Sequence, residues 1–118
     1  MLIAKGQGAS PGKATGPLAL TADDALVLAA RGTPPIFVRN EMEAADVPAI
    51  RASAGVVIAR GGITADGAVA ARALGKPCIV GCATLVVRAG EIRVAKTAYA
   101  SGTSITIDGA TGEISTSL

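Results

Sequence analysis

The sequence predicts an α/β domain, and three observations carry that prediction. Half of the 118 residues are hydrophobic, yet only Phe37 and Tyr99 are aromatic, so the core must be aliphatic. Apolar runs of strand length alternate along the chain with segments of helical pattern, which is typical of sheets covered by helices. A chain of this length is most simply one domain, spanning residues 1–118.

The N-terminal segment predicts a loop followed by a strand. Residues 6–13 read GQGASPGK, and their glycine, proline and serine favour a loop. Ala14–Leu20 then has a strand pattern that Gly16-Pro17 interrupts. Because proline cannot donate a ladder hydrogen bond, we expect this strand to lie at a sheet edge or to contain a bulge.

A helix with clear end signals comes next. Thr21 is a favoured N-cap residue, and Asp24 three positions later completes the pattern of a capping box. The helix is predicted over Ala22–Ala30 and ends at Arg31-Gly32, where glycine favours a C-terminal cap. The following Thr33-Pro34-Pro35 prevents its continuation.

The middle of the chain alternates short strands and helices. Gly55–Ala59 is a continuous apolar run, typical of a strand that is buried on both faces. The other elements predicted here are a strand at Ile36–Arg39, one or two helical turns within 41–53 with Pro48 near a helix start, a helix at Asp66–Leu74, and a strand at Cys78–Val80.

The last third of the chain is β in character, because Val, Ile and Thr cluster between turn signals. The predicted strands are Thr84–Val87, Glu91–Val94, Ser104–Ile107 and Glu113–Ser115, and the turns between them are Ala89-Gly90, Ser101-Gly102 and Asp108-Gly109.

Charge and hydropathy argue against several classes of partner. The net charge of +2 gives no basic patch for nucleic acid, and two aromatic residues are too few for base stacking. No apolar run approaches the roughly 18 residues of a membrane span, and the N-terminus lacks the pattern of a signal peptide. We therefore expect no nucleic-acid partner, no membrane partner and a cytoplasmic location.

The chain has two cysteines, Cys78 and Cys82, and no histidine. Their C-x3-C spacing is neither the redox pattern nor the zinc pattern, and no second pair completes a metal site. We expect two free thiols in a reducing compartment, no bound metal and no cofactor.

The segment from Arg60 to Asp66 combines glycines with residues that favour a helix start. Gly61-Gly62 follows the buried strand, and glycine lets the backbone turn sharply and approach a ligand closely. The first turn of the helix offers unpaired N–H groups that can hold an anion, with Arg60 as a neighbouring cation. Thr64 and Asp66 are also ordinary capping residues, and on sequence physics alone capping explains them better than chemistry does.

Several motifs together resemble, in order, those of the phosphoenolpyruvate-utilising enzymes, the family of pyruvate phosphate dikinase. They are ASPGKATG at 9–16, TADDA at 21–25, EMEAAD at 41–46 in place of E-T-S-P-E-D, AGVVIARGG at 54–62, AARALGKPC at 70–78 and GTSITIDGATGEI at 102–114. The resemblance implies that family's mobile domain, a single swivelling domain of the β/β/α type whose histidine carries a phosphoryl group.

The resemblance also locates a departure at the chemistry. The family loop reads GG-x-T-S-H-A-A, whereas residues 61–68 read GGITADGA, so Asp66 takes the place of the histidine and Ala65 and Gly67 differ as well. The resemblance implies a phosphotransferase family, in which a nucleotide-binding domain and a phosphoenolpyruvate-binding domain exchange phosphoryl groups with this unit. Such partners would be a separate protein or domain, and the chain alone is expected to be inactive.

Three hypotheses follow. In the first, the domain no longer transfers phosphoryl groups and acts by docking or regulation, with Asp66 as a helix cap or a fixed negative charge. In the second, it is a phosphoryl carrier that uses Asp66, since a carboxylate can form an acyl phosphate, or Thr64, whose counterpart in the family is a regulatory phosphorylation site. In the third, the loop binds a small anion or metabolite with Arg60, Arg72 and Lys76 supplying positive charge.

Overall fold

The computed structural model describes residues 1–62 and 66–116, in which short strands outnumber helices. The strands are β1 (Leu2–Lys5), β2 (Gln7–Ser10), β3 (Lys13–Ala19), β4 (Ile36–Arg39), β5 (Gly55–Ile58), β6 (Cys78–Val80), β7 (Leu85–Arg88), β8 (Glu91–Val94), β9 (Thr97–Ala100), β10 (Ser104–Asp108) and β11 (Glu113–Thr116). The helices are α1 (Ala22–Ala30), α2 (Val47–Ala52) and α3 (Asp66–Ala73), and a 3-10 turn at Ala44–Asp46 precedes α2. The predicted α/β class is confirmed.

The strands form one large sheet and one small sheet. The large sheet has the order β1-β11-β10-β3-β4-β5-β6-β2, in which β3 to β6 run parallel and the remaining pairs are antiparallel. The small sheet is an antiparallel meander of β7, β8 and β9. The parallel strands therefore bring their carboxyl ends to one edge of the large sheet.

A single glycine joins the two ends of the large sheet. β1 and β2 stand at opposite ends of the strand order, yet only Gly6 separates them in the chain, so the sheet must curl until its ends meet. The Gly6 N–H donates to the Gly112 carbonyl at 2.8 Å. A Cβ atom on Gly6 would lie 2.6 Å from the Val80 carbonyl oxygen, so glycine is required at this bend.

The curled sheet encloses one core, and the helices cover a second. Alternate side chains of each parallel strand point to opposite faces, which is why the Gly55–Ala59 run is apolar throughout, as predicted. The inner core contains Leu18, Ile36, Val57, Ile79, Ile105, Ile107 and Ile114, together with Leu85 and Ile92 from the small sheet. The core under the helices contains Phe37, Ile50, Val56, Ile58, Val80 and the small residues Ala25, Ala68 and Ala71.

Local end signals set the bounds of α1 as predicted. The Thr21 hydroxyl accepts a hydrogen bond from the Asp24 N–H at 3.1 Å, and Thr21 itself has extended backbone, as an N-cap requires. Arg31 is the C-cap residue, and Gly32 follows with φ 82°. The predicted helical turns within 41–53 are also present, with Pro48 in the first turn of α2.

Two predictions for the N-terminal segment are wrong. Residues 6–13 are not one loop, because residues 7–10 form β2 and pair with β6. β3 is neither an edge strand nor bulged, because it lies between β10 and β4 in regular register. Leu18 donates its N–H to Thr103 on the β10 side, so the nitrogen of Pro17 faces the β4 side just before pairing with β4 begins at Leu18. The missing donor of Pro17 therefore costs no ladder bond.

Two further strands, β1 and β9, were not predicted, and the expected thiols are confirmed. Residues 97–100 form β9, although their sequence TAYA carries only weak strand preference. Cys78 and Cys82 are both free and buried. None of the helices in the described part of the chain is long and apolar enough to cross a membrane.

Candidate functional site

The predicted loop lies at the carboxyl ends of the parallel strands. Arg60, Gly61 and Gly62 follow β5, and all three are exposed. Asp66 begins α3 and is also exposed, whereas Thr64 lies outside the described residues. In open α/β sheets, ligands bind outside the carboxyl ends of the strands, so the fold presents these residues at the expected edge.

Neighbouring strand ends hold the backbone of this loop. The Arg60 N–H donates to the Asn40 carbonyl at 2.8 Å, and the Gly81 N–H donates to the Ile58 carbonyl at 3.1 Å. Gly61 has φ 120° and Gly81 has φ 61°, and both values favour glycine. The glycines therefore allow a sharp turn whose position is fixed by hydrogen bonds to flanking strands.

Asn40 ties the same edge to the small sheet. Its side-chain NH₂ donates to the Val87 carbonyl at 3.1 Å, and its side-chain oxygen accepts from the Val87 N–H at 3.1 Å. An amide side chain carries one acceptor and two donors, so Asn40 can pair with a strand backbone as another strand would. Sequence analysis did not identify Asn40, although an asparagine directly after a buried strand was a usable signal.

Gly67 sets how closely the start of α3 approaches the sheet. It is buried, and a Cβ atom there would lie 2.7 Å from Ile58 Cδ1 and 2.9 Å from Met42 Cβ. Both contacts are closer than real Cβ atoms make, so α3 begins in tight contact with β5 and with the segment after β4. This contact places Asp66 at the exposed end of a firmly packed helix.

An ion pair between a partly exposed arginine and a buried carboxylate orders the segment that precedes α2. Nη1 of Arg39 lies 3.0 Å and 3.2 Å from the two carboxylate oxygens of Asp46, which is only 4% exposed. The same carboxylate accepts the Glu43 N–H at 2.9 Å and so caps the 3-10 turn. Arg39 is thus committed to a structural partner at the strand end.

The structure does not bring Arg72 and Lys76 beside the glycine loop, so their predicted role in anion binding there gains no support and stays a prediction. Arg72 lies in the last turn of α3, about 9 Å along the helix from Asp66 at 1.5 Å per residue, and Lys76 lies beyond the end of α3. Nη1 of Arg72 donates to the Ala9 carbonyl at 3.2 Å and so links α3 to β2. Of the three cations proposed from the sequence, only Arg60 lies beside the loop.

Glycines from two of the recognised motifs meet each other and residues of a third motif at the other end of β6. The Gly109 N–H donates to the Gly12 carbonyl at 2.8 Å, and a Cβ atom on Gly12 would lie 3.0 Å from Pro77 Cγ. A Cβ atom on Gly109 would collide with the Ser10 carbonyl oxygen and lie 3.0 Å from the Cys78 nitrogen. The SPG, GKPC and DGATG segments therefore share a role in close backbone packing, away from the loop.

The thiols lie inside the fold and do not supply a nucleophile. Desolvation by burial raises the pKa of Cys78 to about 12, although the nearby Arg72 lowers it slightly. Burial also raises the pKa of Cys82, against hydrogen bonds to its sulfur from Thr84 and Leu85. The thiolate is the reactive form of cysteine, so neither side chain is poised for group transfer.

Metal-ligating side chains do not converge in the described part of the chain. Residues 1–62 and 66–116 contain no group of three or more His, Cys, Asp or Glu side chains arranged to hold an ion.

Comparisons with known proteins agree on a family. Residues 32–112 match the family described as "PEP-utilising enzyme, mobile domain". Pyruvate, phosphate dikinase 2 of Oryza sativa subsp. japonica is 42% identical over 115 residues, and the pyruvate, phosphate dikinase of Rhizobium meliloti (strain 1021) is 36% identical. Each match covers 96% of this chain but only 13% of the relative, so the chain spans about an eighth of the length of these relatives.

A solved structure supports the same architecture. The holo-form aconitase X of Thermococcus kodakaraensis matches with a TM-score of 0.56 and 15% identity, over 95% of each chain. At that identity the likeness concerns the fold alone. The family match and the dikinase relatives together show that this chain belongs to the PEP-utilising enzyme mobile domain family.

Proposed function

We propose that residues 1–118 act as one swivelling-type mobile domain that no longer transfers phosphoryl groups and works by docking to a partner. The observation that carries this proposal is the exposed carboxylate of Asp66 at the start of α3, in a chain without histidine. An imidazole carries phosphate because one nitrogen is nucleophilic near neutral pH while the other is held by a hydrogen bond. A carboxylate at this position is negatively charged, whereas imidazolium is positively charged. It also has neither of the two ring nitrogens on which the imidazole mechanism depends.

The contacts around Asp66 support a docking surface that is kept although phosphoryl transfer is lost. The loop backbone is held through Arg60 and Asn40, and Gly67 packs α3 tightly against Ile58. These contacts present the end of α3 in a fixed place, which is what a docking surface needs. Asp66 then supplies a permanent negative charge where relatives would carry phosphohistidine.

The two thiols do not replace the missing histidine as a nucleophile. Cys78 and Cys82 are buried with raised pKa values, and Arg39 is engaged with Asp46. The third hypothesis, an anion-binding module, is left with Arg60 as its nearby cation. The carboxylate in place of the imidazole supports docking over phosphoryl transfer, and the position of Arg72 away from the loop supports docking over anion binding.

The partner is proposed to be a separate protein or domain that binds nucleotide or phosphoenolpyruvate. The relatives are dikinases about eight times the length of this chain, so the surfaces that a mobile domain would touch lie in other segments. The two free thiols are consistent with the proposed cytoplasmic location.

Intact-mass measurement separates docking from phosphoryl transfer. The chain is incubated with phosphoenolpyruvate or with ATP, with and without cell lysate, and its mass is compared with that of Asp66→Asn, which removes the charge but keeps the shape. We expect no phosphoryl adduct on either protein. An adduct that disappears in Asp66→Asn would establish Asp66 as a carrier, and an adduct that disappears only in Thr64→Val would establish Thr64.

The docking half of the proposal needs a separate readout. The chain is titrated against a dikinase relative from which the mobile domain has been removed, and binding is followed by calorimetry. We expect binding by the wild-type chain and weaker binding by Asp66→Lys, with Asp66→Asn between them. Equal affinity of all three proteins would show that Asp66 does not lie in the docking surface.

A further inference from the structure

The small sheet has two outer strands, β7 and β9. The edge of β7 is paired with a side chain, whereas the edge of β9 is exposed. An edge strand exposes unpaired N–H and C=O groups that can pair with another chain. In a two-stranded ladder only every second residue directs its backbone groups toward the neighbouring strand. The register of the sheet therefore identifies which residues of β7 and β9 point outward.

On β7 the central outward residue is Val87, and it is already paired. The two-residue turn at Ala89-Gly90 makes Arg88 and Glu91 the closing pair of the hairpin, so Val87 points away from β8. Asn40 fills this position with two hydrogen bonds of 3.1 Å. The side-chain amide thus occupies the place of a further strand.

On β9 the central outward residue is Ala98. The Ser101 N–H donates to the Gly90 carbonyl at 2.9 Å, which places Ser101, Tyr99 and Thr97 on the side that faces β8. The backbone groups of Ala98 and Ala100 therefore face outward. The Ala100 carbonyl accepts from Thr103 at 3.0 Å, but Ala98 has no hydrogen-bond partner on either group within residues 1–62 and 66–116.

The β9 edge is exposed and lacks the usual protection. Thr97, Ala98 and Ala100 are exposed, and Tyr99 is half-buried against the inner core. Proteins commonly blunt such an edge with proline, charged side chains or a bulge. β9 reads TAYA in regular register, and Lys96 in the preceding turn is the nearest charge in the sequence.

We propose that β9 binds an extended, acidic segment of a partner protein as an added strand centred on Ala98. The two groups of Ala98 would form a pair of hydrogen bonds, and its small side chain allows close approach. The small sheet and its turns carry three basic side chains, Arg88, Arg93 and Lys96, and one acidic side chain, Glu91. Nε of Arg93 lies 3.1 Å from a carboxylate oxygen of Glu91, so the excess positive charge comes from Arg88 and Lys96. That charge favours a partner strand with carboxylates and opposes a second copy of this chain, which would bring an equally basic sheet alongside.

This inference goes beyond the proposed function and does not depend on the chemistry at Asp66. It concerns a backbone edge on a different sheet, so loss of Asp66 should leave it intact. Binding at β9 and transfer at Asp66 can therefore fail or succeed separately.

Amide hydrogen exchange of the full chain tests the proposal. The probe is a capped octapeptide of alternating valine and glutamate, and the controls are the same peptide with lysine for glutamate and the same peptide N-methylated at every residue. We expect the glutamate peptide to slow exchange at Ala98 about tenfold at a free concentration of about ten times its Kd. The N-methylated peptide lacks the donors for pairing and should have no effect.

Ala98→Pro and Ala98→Thr form a matched pair of variants. Proline at this position removes only an outward N–H, which an edge strand tolerates, whereas threonine keeps it. We expect Ala98→Pro to abolish peptide binding and Ala98→Thr to retain it, with circular dichroism confirming the fold of both. Unchanged exchange at Ala98 with millimolar glutamate peptide would overturn the proposal, and so would protection of Ala98 by dimerisation, measured by sedimentation without peptide.

Discussion

The side-chain amide of Asn40 pairs with both backbone groups of Val87, and each hydrogen bond is 3.1 Å long. The backbone carbonyl of the same asparagine accepts the Arg60 N–H at 2.8 Å. One residue therefore joins the small sheet to the candidate functional loop. The contact between Asn40 and Val87 helps to position the loop, and both residues lie outside the recognised motifs.

Replacement of Asn40 should destabilise the fold and loosen the edge of β7. Asn40→Ala leaves the half-buried N–H and C=O groups of Val87 without their partner, at a cost of about 1–3 kcal/mol. Urea unfolding measures the loss, and amide exchange at Val87 should quicken. Asn40→Asp keeps the acceptor but sets a carboxylate against the Val87 carbonyl, so it should also destabilise. A stability change below about 0.5 kcal/mol in Asn40→Ala would contradict this account.

Gly67→Ala should be destabilising although alanine favours helices. The helix propensity gain is about 1 kcal/mol, whereas overpacking against Ile58 and Met42 costs about 1–3 kcal/mol. Ile58→Val removes the Cδ1 atom that the new methyl group would meet. The double variant should therefore be more stable than the sum of the two single changes predicts, by at least about 0.5 kcal/mol in thermal or urea unfolding. If the effects of the two substitutions on stability simply add, the new methyl group at position 67 does not clash with Ile58 Cδ1, although a Cβ atom built there lies 2.7 Å from it.

Gly109→Ala should be the more damaging glycine substitution. Its new methyl group would meet the Ser10 carbonyl and the Cys78 nitrogen, and backbone atoms cannot rotate away as a side chain can. We expect a loss near the upper end of overpacking, about 3 kcal/mol. Gly62→Ala is the matched control, because a Cβ atom there meets no atom of residues 1–62 and 66–116 within 4 Å, and its effect should stay within about 0.5 kcal/mol. Similar losses in both variants would argue against close packing at the β10–β11 turn.

Stability should fall in alkaline solution through the buried thiols. The pKa of Cys78 rises from 9.0 in the unfolded chain to about 12 in the folded chain, so above pH 9 the unfolded state ionises while the folded state stays protonated. The contribution of the protonated Cys78 thiol to the free energy of unfolding is therefore fully present below pH 9 and is lost as pH rises toward about 12. Urea midpoints measured from pH 8 upward should decline, and Cys78→Ala should flatten that decline. An equally steep decline in Cys78→Ala would assign the effect to other groups.

Elements with local end signals were predictable from sequence, and elements defined by distant partners were not. Thr21 and Gly32 mark α1 by their own chemistry, and the apolar run of β5 reflects burial on two faces. β2 was hidden because Gly6 and Gly8 serve close backbone approach to Val80 and Gly109, a demand that only the closed sheet creates. β9 was hidden for the opposite reason, since an exposed edge needs no apolar alternation.

The same distinction between local signals and distant partners applies to the candidate site. Arg60, Gly61, Gly62 and Asp66 were placed correctly at a strand-to-helix turn, because the glycine pair follows a recognisable buried strand. Arg72 was grouped with the loop because the two are close in sequence, whereas α3 places Arg72 in its last turn, away from Asp66. The position of Asn40 directly after a buried strand was a local signal, but its partner Val87 lies 47 positions away and could not be identified from the sequence around Asn40.

The pairing of β1 with β11 also has a consequence for the time course of folding. Leu2 lies opposite Ser115, so the first strand cannot complete its ladder until nearly the whole chain is present. Pairing two distant segments requires a large loss of chain entropy before favourable contacts form, so such pairings slow folding. We expect the parallel strands and helices to order first and the Gly6 bend to close last. The seam between the first and last strands would then govern how fast the folded chain opens.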